Sequence, residues 1–525
     1  MHQRAATGTG TGTRPPVQWA WLAGLVAGVT GLALANLGAW LVGAGGAPVS
    51  AVGELVIDLL PAPVVNFGKD TLGAADKPIL VAIITTAVLV VCALAGQAEL
   101  RRRLGGAAVL AVVAVLGLVG IGARAGADLT VYVPTVVGLA LGYVLLRSLI
   151  DKLEAWRDRT ATGTAADAAA SPERRGFLRW TLVAGGLAMV GAVAGQALLS
   201  AATRVNEVRA RLRLPVAAKP APAVPAGADL AVADLSPYVT PNEDFYRIDK
   251  ALQLPVIDPA DWSLTISGMV EEEVRISYAE LAALPLVEHM TTLTCVSNEV
   301  GGDLIGNALW LGYPIRDLLA RARPRAGADM VLSTSQDGFS AGTPLEALTD
   351  PARESLLAIG MNGEPLPLAH GFPVRMVVPG LYGYVSATKW VTKLKVTTFD
   401  ADQGYWTPLG WSARGPIKLA SRIDVPRKSV DAGQVAVAGV AWAQHTGLSA
   451  VEVQVDDGAW VQAELAEVTG PDTWRQWRYL WDAGSGSHTL RVRATDAAGS
   501  VQDAAEAPPA PNGSSGYHQV SVTVR

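Results

Sequence analysis

The first 200 residues hold five apolar runs too long for the core of an ordinary soluble domain, at about 19–43, 78–97, 107–123, 129–149 and 177–199. A bilayer's hydrocarbon core is roughly 30 Å thick, so a helix needs about 20 apolar residues to cross it. The third run is the shortest. Basic residues in the short connections set the orientation. "ELRRRLG" carries three arginines, and the stretch from Arg147 to Arg179 adds Lys152, Arg157, Arg159, Arg174 and Arg175. The opposite loops carry only Lys69, Lys77 and Arg124. The expectation is a five-helix transmembrane domain over 1–200 in the cell membrane, multi-pass, with a cytoplasmic N-terminus and everything after residue 200 extracytoplasmic.

The last run adds a second signal. In "SPERRGFLRWTLVAGGLAMVGAVAGQA", adjacent arginines precede Phe177-Leu178 and a moderately apolar stretch, which is similar to a twin-arginine export signal placed in mid-chain. Plain positive flanking of a last helix would produce the same residues. Only His2 of the six histidines precedes residue 200, so no pair of transmembrane histidines is there to hold a haem. The spans also read as free of buried acid–base clusters that would mark an ion path. An anchor or partner-docking platform is the expected role, with quinone binding a further option.

Beyond residue 200 the composition becomes that of a soluble protein, and the net charge of -5 excludes a basic nucleic-acid surface. "PVAAKPAPAVPAGA", within a Pro/Ala-rich linker at 201–232, predicts a semi-rigid spacer that lifts the next domain off the bilayer. Residues 233–412 mix short strands such as "WSLTISGMV" and "FPVRMVVPG" with short helices, which predicts an α+β domain. Residues 413–525 alternate apolar and polar side chains at period two with turns between, which predicts an immunoglobulin-like β-sandwich. The fold class is thus multi-domain: α-helical membrane domain, α+β domain and β-sandwich.

The chain has two cysteines, Cys92 in an apolar run and Cys295 in the small, polar stretch "TTLTCVSNEVGG". A thiol in such a loop is inert, a nucleophile, or a soft metal ligand. A nucleophile needs a base, for which His289 and His370 are available. No Cys/His cluster with metal spacing exists, so a metal would have to arrive largely ligated by its own cofactor. Its anionic groups would need cations and backbone N–H donors. "HGFPVRMVVPGLYGYVSATKW" supplies His370, Arg375 and Lys389 around two glycine-containing turns.

The ordered segments "FYRIDKAL", "WSLTISGMV", "TLTCVSNEVGGDLIGNALWLG", "GMNGEPLPLAHGFPVRMVVPG" and "TKW" resemble the sulfite oxidase family of molybdenum-cofactor enzymes. That family includes sulfite oxidases, plant-type nitrate reductases and a bacterial methionine-sulfoxide reductase. The resemblance covers about 235–525, the C-terminal part being similar to that family's dimerisation domain. It implies a molybdopterin-binding oxidoreductase domain carrying one molybdenum per chain. Cys295 matches the metal's thiolate ligand, and two enedithiolate sulfurs of the pterin would supply further ligands. Tyr246, Arg247, Thr334, His370, Arg375, Thr388 and Lys389 match cofactor-binding positions, and Arg247 is also the candidate for contacting substrate. The implied reaction is two-electron oxygen-atom transfer on a small-molecule substrate. With no haem motif in this chain, a separate electron carrier, cytochrome or quinone, is expected, and the C-terminal domain would allow a homodimer.

Two departures bear on the substrate. Glu299 and Val300 stand where the resemblance leads one to expect basic residues, and "RIDK" replaces an Arg-Asn-His. Exchanging a cation for a carboxylate costs several kcal/mol against a dianion at an effective dielectric of about 20. A neutral S-oxide or N-oxide is therefore favoured over sulfite or nitrate. Sulfite oxidation itself is the alternative, and the alternative of another class is a metal-free surface binding protein.

Overall fold

A computed structural model describes residues 18–42, 51–53, 55–56, 76–122, 129–162, 172–251 and 254–525. It divides into two compact units, Met1–Thr203 with Lys250–Gln253 and Arg204–Asp249 with Leu254–Arg525.

The first unit is built on helices α1 (Gln18–Val42), α2 (Asp76–Arg101), α3 (Gly105–Gly122) and α4 (Val133–Thr162), followed by α5 (Pro172–Arg211). Among the described residues, four stretches are long and apolar enough to cross a membrane: Gln18–Ala39, Ala82–Arg101, Gly105–Gly122 and Leu129–Asp158. The fifth expected crossing falls in α5, whose side chains from 187 to 204 lie outside the described residues.

Apolar helices in lipid gain little from hydrophobicity alone and associate where small residues let backbones meet. That is how α1 packs here. A Cβ on Gly24 would fall 2.2 Å from the Cys92 carbonyl oxygen, and one on Gly96 would fall 2.0 Å from that of Ala20. Gly31 and Gly138 make the same close approach between α1 and α4. Gly24→Leu is expected to pry α1 from α2 at a cost of about 3 kcal/mol or more. A lower unfolding temperature of the detergent-solubilised chain would register it.

Glu99, at the end of α2, is buried. Its carboxylate accepts the Gly106 amide at 2.9 Å, which caps α3, and pairs with Arg147 of α4 at 3.2 Å. These helices thus share an ion pair whose carboxylate is buried and whose arginine is partly exposed, an inter-helix tie.

In the second unit, strands β1 (Ser263–Gly268), β2 (Val274–Ser277), β3 (Val287–Thr294), β4 (Ile305–Pro314) and β5 (Met330–Ser335) come first. They are followed by β6 (Ser340–Pro344), β7 (Leu356–Met361), β8 (Glu364–Pro365), β9 (Arg375–Val377) and β10 (Val391–Thr397). They form two sheets, one ordered β2-β1-β10-β5-β6 and the other β3-β4-β7-β8 with β9 also on β7. Short helices cover them over a core that includes Trp262, Leu318 and Val374.

The C-terminal strands are β11 (Ala420–Val425), β12 (Gly433–Trp442), β13 (Leu448–Val455), β14 (Val461–Gln462), β15 (Glu464–Leu465), β16 (Arg475–Ala483), β17 (Gly486–Asp496) and β18 (His518–Val524). They make two four-stranded sheets, β11-β12-β16-β15 and β14-β13-β17-β18, around one apolar core holding Trp477 and Leu490.

The expected spacer is not free. Lys219 pairs with Val287, the Ala218 amide donates to Leu286 at 2.8 Å, and the Leu230 amide donates to the Gln476 side chain at 2.7 Å. A proline-rich extended chain leaves its carbonyls and remaining amides unpaired, and here the β3 edge pairs with part of them.

Candidate active site

Cys295 follows directly on β3, where the chain leaves the sheet to return as β4. The β3–β4 register ends at Thr294 opposite Ile305, and the Cys295 amide donates to Leu304 at 2.9 Å. The thiol is 9% exposed and forms no disulfide, and the Ser297 amide points at its Sγ from 3.4 Å. Just before it, the buried Thr294 hydroxyl has no hydrogen-bond partner among the described residues.

Arg375 opens β9, opposite Ala358 of β7. The guanidinium is buried, stacked 5.0 Å from the Trp310 ring centroid, and donates only to carbonyls: His370 at 3.2 Å, Met376 at 3.3 Å and Ala387 at 3.4 Å. Among the described residues no carboxylate pairs with it. Burial lowers its pKa to about 10. Lys389 bridges to Arg375 through the backbone. Gly371, at φ 108°, packs against both, since a Cβ there would sit 3.0 Å from that of Arg375 and 3.1 Å from that of Lys389. That conformation and that approach both require glycine.

Lys389 Nζ lies 2.9 Å from Asp249, and the same carboxylate oxygen accepts Arg247 Nε at 2.8 Å. Burial lowers the lysine pKa to about 8 even though Asp249 pulls it upward. His370 Nε2 faces the Asn242 carbonyl at 3.2 Å. Burial, then the charges of Arg375 and Lys389, lower its pKa to about 4, so the ring is neutral at pH 7. The Tyr246 phenol is raised well above its ordinary value, by burial first and by the Cys295 thiolate second, with Arg375 opposing. Tyr246 stacks on Phe245, which meets both His370 and Trp310 edge-on.

The structure thus brings Tyr246, Arg247, His370, Arg375 and Lys389 into one neighbourhood, which borders the Cys295 segment at Gly383, where a Cβ would sit 3.8 Å from both the Tyr246 hydroxyl and the Thr294 carbonyl oxygen. The other two predicted residues sit differently. The Thr388 hydroxyl is buried against Ser333 at 2.7 Å, although its carbonyl accepts from Met376 of β9. Thr334 lies in the ladder between Ser340 and Lys393. His289 is held by Asp472 at 2.9 Å, in a contact with the C-terminal sheets. Asp249, Trp310 and Phe245 escaped the sequence reading. The "RIDK" segment was the available signal for Asp249, read there as a missing histidine.

The donor set suits an anionic cofactor. Two cations, Arg247 and Lys389, share the Asp249 carboxylate, and the buried Arg375, with only carbonyl partners, can receive a phosphate-like group without breaking an ion pair. Beside the Cys295 loop, a cleft lined by Asn298, Glu299, Val300, Trp442, Gln502 and Ser514 has no lysine or arginine in its wall.

A family model described as an oxidoreductase molybdopterin binding domain matches residues 251–406. The chain is 28% identical over 335 residues to the sulfite oxidase of Arabidopsis thaliana, covering 51% of this chain and 83% of that protein. It is 29% identical to the mitochondrial sulfite oxidase of Mus musculus over 52% of this chain, but spans only 58% of that protein's length. It is also 32% identical over 158 residues to an uncharacterized oxidoreductase of Bacillus subtilis, YuiH, covering 30% of this chain and 76% of that one. The chain belongs to the sulfite oxidase family of molybdopterin oxidoreductases.

Proposed function

We propose that the chain is a membrane-anchored, extracytoplasmic molybdenum enzyme that transfers an oxygen atom to or from a small, neutral S-oxide, N-oxide or related substrate. The observation that carries this reading is the approach of the Cys295 segment, at Gly383, to a buried cation cluster centred on Arg375. Cys295 would bind the metal. Arg375 and Lys389 would hold the anionic part of the pterin, with His370, Tyr246 and the main chain at Thr388 shaping its bed. Arg247 would face substrate, and Thr334 lies on the neighbouring sheet as an outer contact. When bound, the cofactor supplies the two-electron, oxo-accepting centre; the polypeptide binds it, orients it and excludes water.

Glu299, standing where the resemblance leads one to expect a basic residue, favours an uncharged substrate over an oxyanion. Electrons would pass to a separate cytochrome or quinone. The apolar helices serve as the anchor, the "RRGFL" segment as an export signal for a folded passenger, and the C-terminal sheets as an immunoglobulin-like dimerisation module.

Metal analysis of protein from a cofactor-competent host is expected to give one molybdenum per chain. A dye-coupled panel run in both directions is expected to show methionine sulfoxide reduction exceeding sulfite oxidation. The reverse ranking would restore sulfite as the substrate, and absence of molybdenum would remove the enzyme reading altogether.

Lys389 gives a pH signature. It is charged only below about 8, so uptake of the anionic cofactor by apo-protein is expected to weaken as pH rises through that value. Reconstitution yield measured from pH 6.5 to 9.5 checks this, and Lys389→Arg is expected to move the fall upward.

A further inference from the structure

The loop after Cys295 is held by residues outside its own domain. Ser514 Oγ donates to the Asn298 carbonyl at 2.6 Å, and Arg422 donates to the Gly302 carbonyl at 2.8 Å. Between these two points Gly301, at φ 78°, lies flat against His518, and a Cβ there would fall 2.2 Å from the ring's Nε2. The clamps are themselves fixed. Arg422 is buried and pairs with Asp424 at 2.6 Å and Ser236 at 2.8 Å. His518 Nδ1 accepts the Ile423 amide at 2.9 Å, so the ring's proton sits on the nitrogen that faces Gly301.

Inside the loop the relay to the thiol is short. The Asn298 amide donates to the Cys295 carbonyl at 3.1 Å, and the Asn298 side chain accepts the Leu304 amide at 2.9 Å. A shift at the Asn298 carbonyl therefore reaches Cys295 through that one residue, and a shift at Gly302 reaches it along the chain to Leu304, whose carbonyl accepts the Cys295 amide at 2.9 Å. We propose that the C-terminal domain is a working part of the catalytic site, with Ser514, Arg422 and His518 acting as positioning residues that fix the 296–303 loop and the direction of the Cys295 thiol. The catalytic consequence rests on Cys295 being the metal ligand; the positioning itself can be read on metal-free protein.

The test uses the full chain in detergent, without cofactor, and follows alkylation of Cys295 by iodoacetamide, mapped by mass spectrometry with Cys92 as internal reference. Ser514→Ala and His518→Ala are each expected to speed Cys295 alkylation about tenfold, by easing local opening. Asp472→Ala cuts a different contact between the same two domains, the carboxylate that holds His289, and is expected to leave the rate within about twofold. Equal acceleration by all three variants would make the effect general loosening and overturn the proposal, as would no acceleration in the first two. Ser514→Ala removes one hydroxyl and keeps the test open should His518→Ala not fold. On loaded enzyme, Ser514→Ala is expected to lower kcat more than it changes KM. Faster alkylation with unchanged turnover would leave the positioning intact and remove Cys295 as ligand.

Discussion

Cys295→Ser protein is expected to fold, retain much of its pterin and lose roughly 10³-fold in turnover, about 4 kcal/mol of barrier. The exchange is nearly isosteric, and a hydroxyl can also accept the Ser297 amide that points at the thiol. A serine hydroxyl is a hard, weakly acidic donor and a poor replacement for a thiolate on a soft metal centre. Since Arg375, Lys389 and their neighbours would still hold the anionic end of the cofactor, pterin content is expected to fall far less than activity. Parallel measurement of pterin fluorescence after acid extraction, molybdenum and turnover separates the two losses. A metal-free nucleophile at this position would also lose turnover on Cys295→Ser, but its wild-type protein would contain no molybdenum. Unchanged turnover would take Cys295 out of the site entirely.

Local patterns were readable in the sequence, and pairings across long separations were not. The apolar runs show in any window because a membrane span needs length more than periodicity. His370, Arg375 and Lys389 could be grouped because they fall within one strand–turn segment. Asp249 could not be given its role, since it is 140 residues from Lys389 in the chain and acts only once the fold pairs them. The same holds for Glu99, whose partner Arg147 is 48 residues away, and for the Arg422 clamp on Gly302, separated by 120. The proline-rich stretch misled for another reason: its composition fixes an extended backbone but does not say whether that backbone lies in water or along a strand edge. Thr388 shows the limit of matching by position. The residue falls where the motif predicts, yet its hydroxyl is bonded to Ser333 within the sheets.

Arg375→Met is expected to separate stability from function. In the folded chain the guanidinium is buried, meets only carbonyl oxygens and an indole face, and has its pKa lowered to about 10 by burial. A cation whose folded pKa lies below its unfolded value destabilises the fold while it is charged. The penalty is fully present below about 10 and disappears only as pH rises toward arginine's higher, ordinary value. Replacing such a charge by an apolar side chain of similar length is neutral or stabilising by about 1–4 kcal/mol. Apo-protein carrying Arg375→Met is therefore expected to melt at or above the wild-type temperature at pH 7, with no loss of near-ultraviolet dichroism. Cofactor uptake is expected to move the other way and fall by more than about tenfold, since a charge-assisted, bidentate donor to an anion has been lost. Wild-type apo-protein carries the arginine at a cost that only an anion can offset, so loading is expected to raise its melting temperature more than it raises that of the variant. A variant that loses both stability and cofactor would mark Arg375 as a packing residue, and the cation cluster would then need another purpose.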